Sequence, residues 1–69
     1  SLAAAFLALG RPSEAELLLR EVLARSDRLA PAWYNLGIAL RALGREEEAR
    51  RAFEQAAGLG YAPARLLLR

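Results

Sequence analysis

Apolar residues recur at helical spacing along most of the chain, in segments that are separated by glycine and proline. Apolar positions three or four residues apart lie on one face of a helix, and the charged positions between them lie on the opposite face. The pattern therefore predicts an all-α protein. It places helices over residues 1–9, 12–25, 31–43, 46–57 and 63–69.

Glycine and proline mark where these helices begin and end. Glycine accepts the left-handed backbone that closes many helices, so helix ends are expected near Gly10, Gly44, Gly58 and Gly60. Proline suits the first helical turn, and Pro12 is therefore expected to open the second helix. Ser13 and Glu16 have the spacing of a capping box, which leaves the start of that helix open to a second interpretation.

Eight residues near the start of the chain recur 34 positions later. Leu2, Ala5, Ala8, Leu9, Gly10, Arg11, Glu14 and Ala15 return as Leu36, Ala39, Ala42, Leu43, Gly44, Arg45, Glu48 and Ala49. A repeat of this length is typical of stacked helical hairpins. The turns after residues 9 and 43 are short enough to join only antiparallel helices. We therefore expect the first helix to pair with the second, and the third with the fourth.

The third helix carries the clearest candidate core. A buried stripe is predicted at Trp33, Leu36, Leu40 and Leu43. Gly37 and Ala49 are small at the point where the third and fourth helices should cross, which allows the two helix axes to approach. A larger residue at either position is expected to disrupt this packing.

A motif in the second hairpin suggests a family. Trp33, Leu36 and Gly37, followed by Ala49 and Phe53, have the spacing W-x2-L-G and A-x3-F. This resembles the signature of the tetratricopeptide repeat (TPR) family, which has the same period. The resemblance implies a short right-handed solenoid of antiparallel helical hairpins. It also implies a protein-binding scaffold rather than an enzyme, with a concave groove lined by the first helix of each hairpin.

The resemblance also implies how the chain is divided. We expect one TPR domain over residues 1–69, with a first repeat at 1–29 that lacks its opening turn, a second at 30–61, and a partial third repeat or capping helix at 62–69. The spacing from Pro31 to Pro63 is 32 residues, two fewer than the period of the first two repeats. The linker at residues 56–64 resembles that of the related Sel1-like repeats.

The composition excludes the commonest catalytic and metal sites. The chain has no cysteine and no histidine, so it can form neither a disulfide, nor a Cys/His metal site, nor an ordinary nucleophile–base pair. Glutamates 46, 47 and 48 are consecutive, and consecutive side chains fan around a helix instead of converging on one ion. We therefore expect no enzyme activity of its own, no metal and no cofactor.

Charge and hydropathy limit the kinds of partner that are expected. Ten arginines and eight acidic residues give a net charge of +2, and the two signs are interleaved. Nucleic-acid binding favours a one-sided basic cluster, so a nucleic-acid partner is not expected. The longest apolar run, residues 2–9, is far below the roughly 18 residues that span a membrane. With no signal peptide and no cysteine, a cytoplasmic location is favoured.

The residues expected to contact a partner lie on the concave face that the resemblance implies. They are Tyr34, Asn35, Ile38, Arg41 and Ala42 on the third helix, with Ala4 and Leu7 on the first. Tyr, Ile and Arg together are typical of binding hot spots, and the apolar character favours a peptide or helix with aliphatic anchors. Plain packing of Tyr34 and Ile38 on a neighbouring repeat is the alternative.

Two other functions remain open. Apolar residues are in excess on the second helix, at residues 17–19, and at the C-terminus, where Leu66 and Leu67 are candidate contacts of a homo-oligomer. In this first alternative the chain is a module for homo-oligomeric assembly. In the other alternative it is an accessory region of a larger enzyme, whose chemistry lies outside these residues.

Overall fold

The computed structural model describes all 69 residues and contains five α-helices and no strand. The helices are α1 (Leu2–Ala8), α2 (Pro12–Arg25), α3 (Ala30–Ala42), α4 (Glu46–Gly58) and α5 (Ala62–Leu66). Each helix packs against the next, and α1 also touches α3. The prediction of an all-α stack is confirmed: two hairpins, α1–α2 and α3–α4, are followed by α5 in a body of 26 × 26 × 17 Å.

The helix ends lie within one residue of the predicted ends, except at the end of α5. α2 has the predicted ends, α4 ends one residue later than predicted, and α1 and α3 each differ by one residue at both ends. Gly58 was expected to break α4 but is its last residue. Gly60 closes this segment instead, because its φ of 93° lies in the left-handed region. α5 ends at Leu66, three residues earlier than expected.

The start of α2 follows the proline prediction and not the capping box. Pro12 occupies the first turn, and the residue before it, Arg11, provides no side-chain cap. Ser13 therefore lies inside the helix, where its hydroxyl is exposed and caps nothing. A side-chain cap is found on α1 instead, where the Ala4 N–H donates to Ser1 Oγ at 3.2 Å.

The core contains only apolar residues, drawn from all five helices. Its buried members are Ala3, Ala15, Leu19, Leu23, Leu36, Ala39, Leu40, Ala49, Ala52, Phe53, Ala56 and Ala64. Most of them are alanines, and small side chains at helix contacts allow close approach of the axes. Phe53 and Leu40 are the largest side chains that are fully enclosed. The core therefore depends on a few large residues inserted among small ones.

The predicted stripe on α3 is only partly buried. Leu36 and Leu40 are in the core, whereas Trp33 and Leu43 are half-buried. Trp33 lies beside the loop between α2 and α3, where its Nε1–H donates to the carbonyl of Asp27 at 2.7 Å. An indole needs a polar partner for this N–H, which explains why Trp33 sits at the border of the core rather than inside it.

Candidate protein-binding face

The predicted binding residues are distributed over α1 and α3, the two helices that touch each other across the hairpins. Ala4 and Ala42 are exposed, while Leu7 and Ile38 are half-buried and pack against the core. Small exposed residues beside partly buried aliphatic ones leave room for an approaching backbone. On each of the two helices, a small exposed residue therefore lies within one turn of a partly buried aliphatic one.

Tyr34 contributes to packing as well as to this surface. Its ring centroid lies 5.8 Å from that of Phe53 and 5.2 Å from that of Tyr61, and both pairs are tilted. Tilted aromatic pairs at such distances attract each other through their quadrupoles. Tyr34 therefore ties α3 to α4 and to the residue that precedes α5, and only the remainder of its half-buried side chain is open to a partner.

Arg41 is exposed at the other end of α3, but its charge is already engaged. Its guanidinium carbon lies 4.9 Å from the centroid of the Phe53 ring. Its Nε–H donates to both carboxylate oxygens of Glu46, at 3.2 and 3.3 Å. Arg41 also lines a polar cavity of about 270 Å³ with Leu67 and Leu68. It is a polar boundary of the α3 surface and not a free cation.

The largest cavity, of about 420 Å³, lies between the first turns of α1 and α3 and the middle of α2. Of the predicted binding residues, only Asn35 lines it. Its apolar lining includes Leu2, Leu18, Leu19, Val22, Leu29 and Pro31. The excess of leucine on α2 was the only signal of this cavity in the sequence. Its position could not be predicted, because it depends on how three helices meet.

A network of four charged residues joins the two hairpins on another surface. Glu16 of α2 accepts hydrogen bonds from Arg20 and from Arg45, each at 2.9 Å. Arg45, just before α4, also donates to Glu48 at 2.9 Å. Burial alone would raise the pKa of Glu16, but the hydrogen bonds from the two arginines outweigh it and lower that pKa. The hydrogen bond from Arg45 likewise lowers the pKa of Glu48.

No group of three acidic residues is close enough to hold one metal ion. None of the five helices combines the length and the apolar character that crossing a membrane requires. What the structure presents is helix surface, one apolar cavity and charged pairs on the exterior.

Two family models match the chain, and both describe a tetratricopeptide repeat. One matches residues 1–30, which contain α1 and α2, and the other matches residues 30–59, which contain α3 and α4. No curated protein and no solved structure matches the chain. The Sel1-like character of the linker at residues 56–64 stays a prediction. The matched segments coincide with the two hairpins of the fold, and the chain belongs to the tetratricopeptide repeat family.

Proposed function

We propose that this chain is a non-enzymatic scaffold that binds a peptide or helix of another protein on the surface formed by α1 and α3. TPR repeats are generally protein–protein interaction modules. The observation that supports the proposal is the direct contact between α1 and α3, which places the two helices side by side. The ligand contacts are Ala4 and Leu7 on α1, and Tyr34, Asn35, Ile38, Arg41 and Ala42 on α3.

The chemistry of this surface favours a partner with aliphatic anchors. Leu7 and Ile38 offer partly exposed apolar side chains, and the exposed Ala4 and Ala42 let a partner backbone come close. An amphipathic helix that lays its apolar stripe on such a surface gains affinity from burial. Asn35 supplies an amide that both donates and accepts hydrogen bonds, which can fix the direction of the partner chain.

The proposal is tested with peptides selected by phage display against the whole chain and then synthesised with a fluorophore. Ala4→Arg and Ala42→Arg place a long charged side chain on the surface without touching the core, and should weaken peptide binding at least tenfold. Ala24→Arg is the matched control, since Ala24 is an exposed alanine of α2. Circular dichroism checks that all three variants remain helical.

Unchanged affinity in both surface variants, or equal loss in the Ala24→Arg control, would refute binding at the α1–α3 surface. Tyr34 is left out of this test because its ring also packs on Phe53 and Tyr61. A change there alters packing and binding together.

Self-association is a second candidate function, because one observation favours it. Leu66, on α5, is 62% exposed, although α5 packs on α4 and buries Ala64. Exposed large apolar side chains mark contact surfaces when they are grouped, and Leu67, which follows Leu66 in the chain, is half-buried. Light scattering behind a sizing column, over a range of concentrations, should show a mass that rises with concentration in the native chain. A constant monomer mass would exclude this function.

A further inference from the structure

We propose that a groove between α2 and α4 binds an acidic segment of another protein. This α2–α4 groove has a volume of about 270 Å³ and is bounded by the three longest helices, α2, α3 and α4. Its lining residues are Arg20 of α2, Trp33, Leu36 and Leu40 of α3, and Glu48, Arg51, Ala52 and Gln55 of α4. None of them belongs to the α1–α3 surface, so this second site does not depend on the proposed function.

The floor of the α2–α4 groove is apolar. Leu36, Leu40 and Ala52 are buried there, while Trp33 is half-buried and keeps part of its side chain exposed. The Nε1–H of Trp33 donates to the carbonyl of Asp27, which holds the indole in place. Because its polar atom is already bonded, the exposed part of the indole is apolar ring surface. The floor thus provides a fixed contact for an apolar side chain.

Two arginines on opposite walls of the groove have N–H groups that no acceptor of the chain binds. Arg51 of α4 is exposed, and its side chain forms neither an ion pair nor a hydrogen bond. Arg20 of α2 bonds Glu16 through Nε, but its Nη2 lies 3.6 Å from Glu48, too far for a hydrogen bond. A guanidinium group offers five N–H donors in a fork that matches a carboxylate. Both arginines can therefore bind acidic side chains of a partner without losing a hydrogen bond.

The one acidic residue of the lining, Glu48, already has its charge compensated. Its carboxylate accepts two hydrogen bonds from Arg45, each at 2.9 Å, and Arg45 also donates to Glu16. In the groove and this ion network together, three arginines stand against two glutamates, which leaves a net charge of +1. An incoming carboxylate therefore meets an excess of positive charge, and a basic segment would be repelled.

The size of the groove favours a segment of polypeptide as the occupant. Small-molecule sites typically enclose about 300–1,000 Å³, so this smaller groove suits one or two side chains of a bound segment. Gln55 is exposed and its amide forms no hydrogen bond within the chain, so it can bond a partner backbone. A nucleic acid would favour a wider basic surface than one net charge provides. The occupant is thus an acidic segment with an apolar residue that packs on Trp33.

Trp33 is the only tryptophan of the chain, so its fluorescence reports directly on the groove. The probe is a terminally blocked peptide with the sequence Gly-Asp-Asp-Leu-Asp-Asp-Gly, and the reference peptide has Asn in place of every Asp. Titration of the native chain with the acidic peptide should change the Trp33 emission until the signal saturates. The reference peptide should bind at least about tenfold more weakly, because it cannot form charge-assisted hydrogen bonds with the arginines.

Two substitutions at Arg51 test the role of its charge. Arg51→Gln should weaken binding of the acidic peptide at least about tenfold. Arg25→Gln is the matched control, because Arg25 is an exposed arginine outside the groove that forms no ion pair, and its loss changes the total charge equally. Arg51→Glu should reverse the preference, so that the peptide Gly-Lys-Lys-Leu-Lys-Lys-Gly binds more tightly than the acidic one. Circular dichroism checks that each variant remains helical.

Three outcomes would overturn binding in the α2–α4 groove. One is a Trp33 emission that never responds to the acidic peptide. The second is equal weakening in Arg51→Gln and Arg25→Gln, because the total charge of the chain would then attract the peptide. The third is tighter binding of a single-stranded RNA hexanucleotide, which would make the occupant a nucleic acid. Ala4→Arg and Ala42→Arg should leave the Trp33 titration intact; its loss would place the acidic peptide on the α1–α3 surface instead.

Discussion

A Cβ atom on Gly37 would clash with the aromatic ring of Phe53, most closely with Cε1 and at 2.6 Å from Cδ1. Phe53 is completely buried, so its ring can move away only within the core. The φ of Gly37 is not in the left-handed region, which means that space and not backbone freedom requires glycine here. These two residues together determine how closely α3 and α4 approach.

Gly37→Ala is therefore expected to lower the free energy of unfolding. Overpacking of a closed core costs about 1–3 kcal/mol, and this exceeds the gain of less than about 1 kcal/mol that alanine brings to a helix interior. Urea unfolding followed by circular dichroism measures the difference.

Gly58→Ala is the matched control, because Gly58 is also helical and nothing lies within 4 Å of its absent Cβ. This variant should be as stable as the native chain or slightly more stable. If Gly37→Ala behaves in the same way as Gly58→Ala, the ring of Phe53 does not limit the helix approach.

Tyr34 gives a second prediction, since its ring joins α3 to Phe53 and Tyr61. Tyr34→Ala removes both ring contacts and should lower the free energy of unfolding by about 1–3 kcal/mol, less than for a fully buried aromatic residue. Tyr34→Phe keeps the ring and should change stability little. Thermal unfolding of both variants measures how much the ring of Tyr34 contributes to stability. Equal stability of Tyr34→Ala and the native chain would show that the ring serves only the surface.

The helices and the close helix pair could be predicted from the sequence because their causes are local. The spacing of Leu36 and Leu40 and the position of Gly37 depend on one helix and on its neighbour in the chain. Pro12 determines the start of α2 through its own ring. Such features follow from periodicity and backbone chemistry, and the structure confirms them.

The site could be predicted only in part because its contacts come from distant segments. Tyr34 meets Tyr61 only once α5 is placed, and Arg41 is engaged by Glu46 across the α3–α4 turn. Similarly, the cavity exists only where α1, α2 and α3 meet. The early end of α5 at Leu66 depends on how the last residues pack, and apolar spacing does not report this.

The ion network between α2 and α4 predicts how stability depends on pH. Glu16 and Glu48 have pKa values below the ordinary value of 4.5, because arginines donate hydrogen bonds to their carboxylates. The folded chain thus binds protons more weakly at these sites than the unfolded chain does. The two carboxylates stabilise the folded chain in full at pH values above their pKa in the unfolded chain. This stabilisation is lost as the pH falls through their pKa in the folded chain. The melting temperature should therefore fall as the pH is lowered below about 4.5.

The double variant Glu16→Gln with Glu48→Gln tests whether this network causes the loss of stability in acid. It should melt at a lower temperature than the native chain near neutral pH. This difference in melting temperature should shrink as the pH falls below the pKa values of Glu16 and Glu48 in the folded native chain. Glu47→Gln is the matched control, because Glu47 is an exposed glutamate of the same helix that forms no ion pair. High salt should reduce the difference in melting temperature near neutral pH, since the charged groups of the network are close to solvent. A double variant that loses as much stability in acid as the native chain does would place the acid sensitivity in other carboxylates.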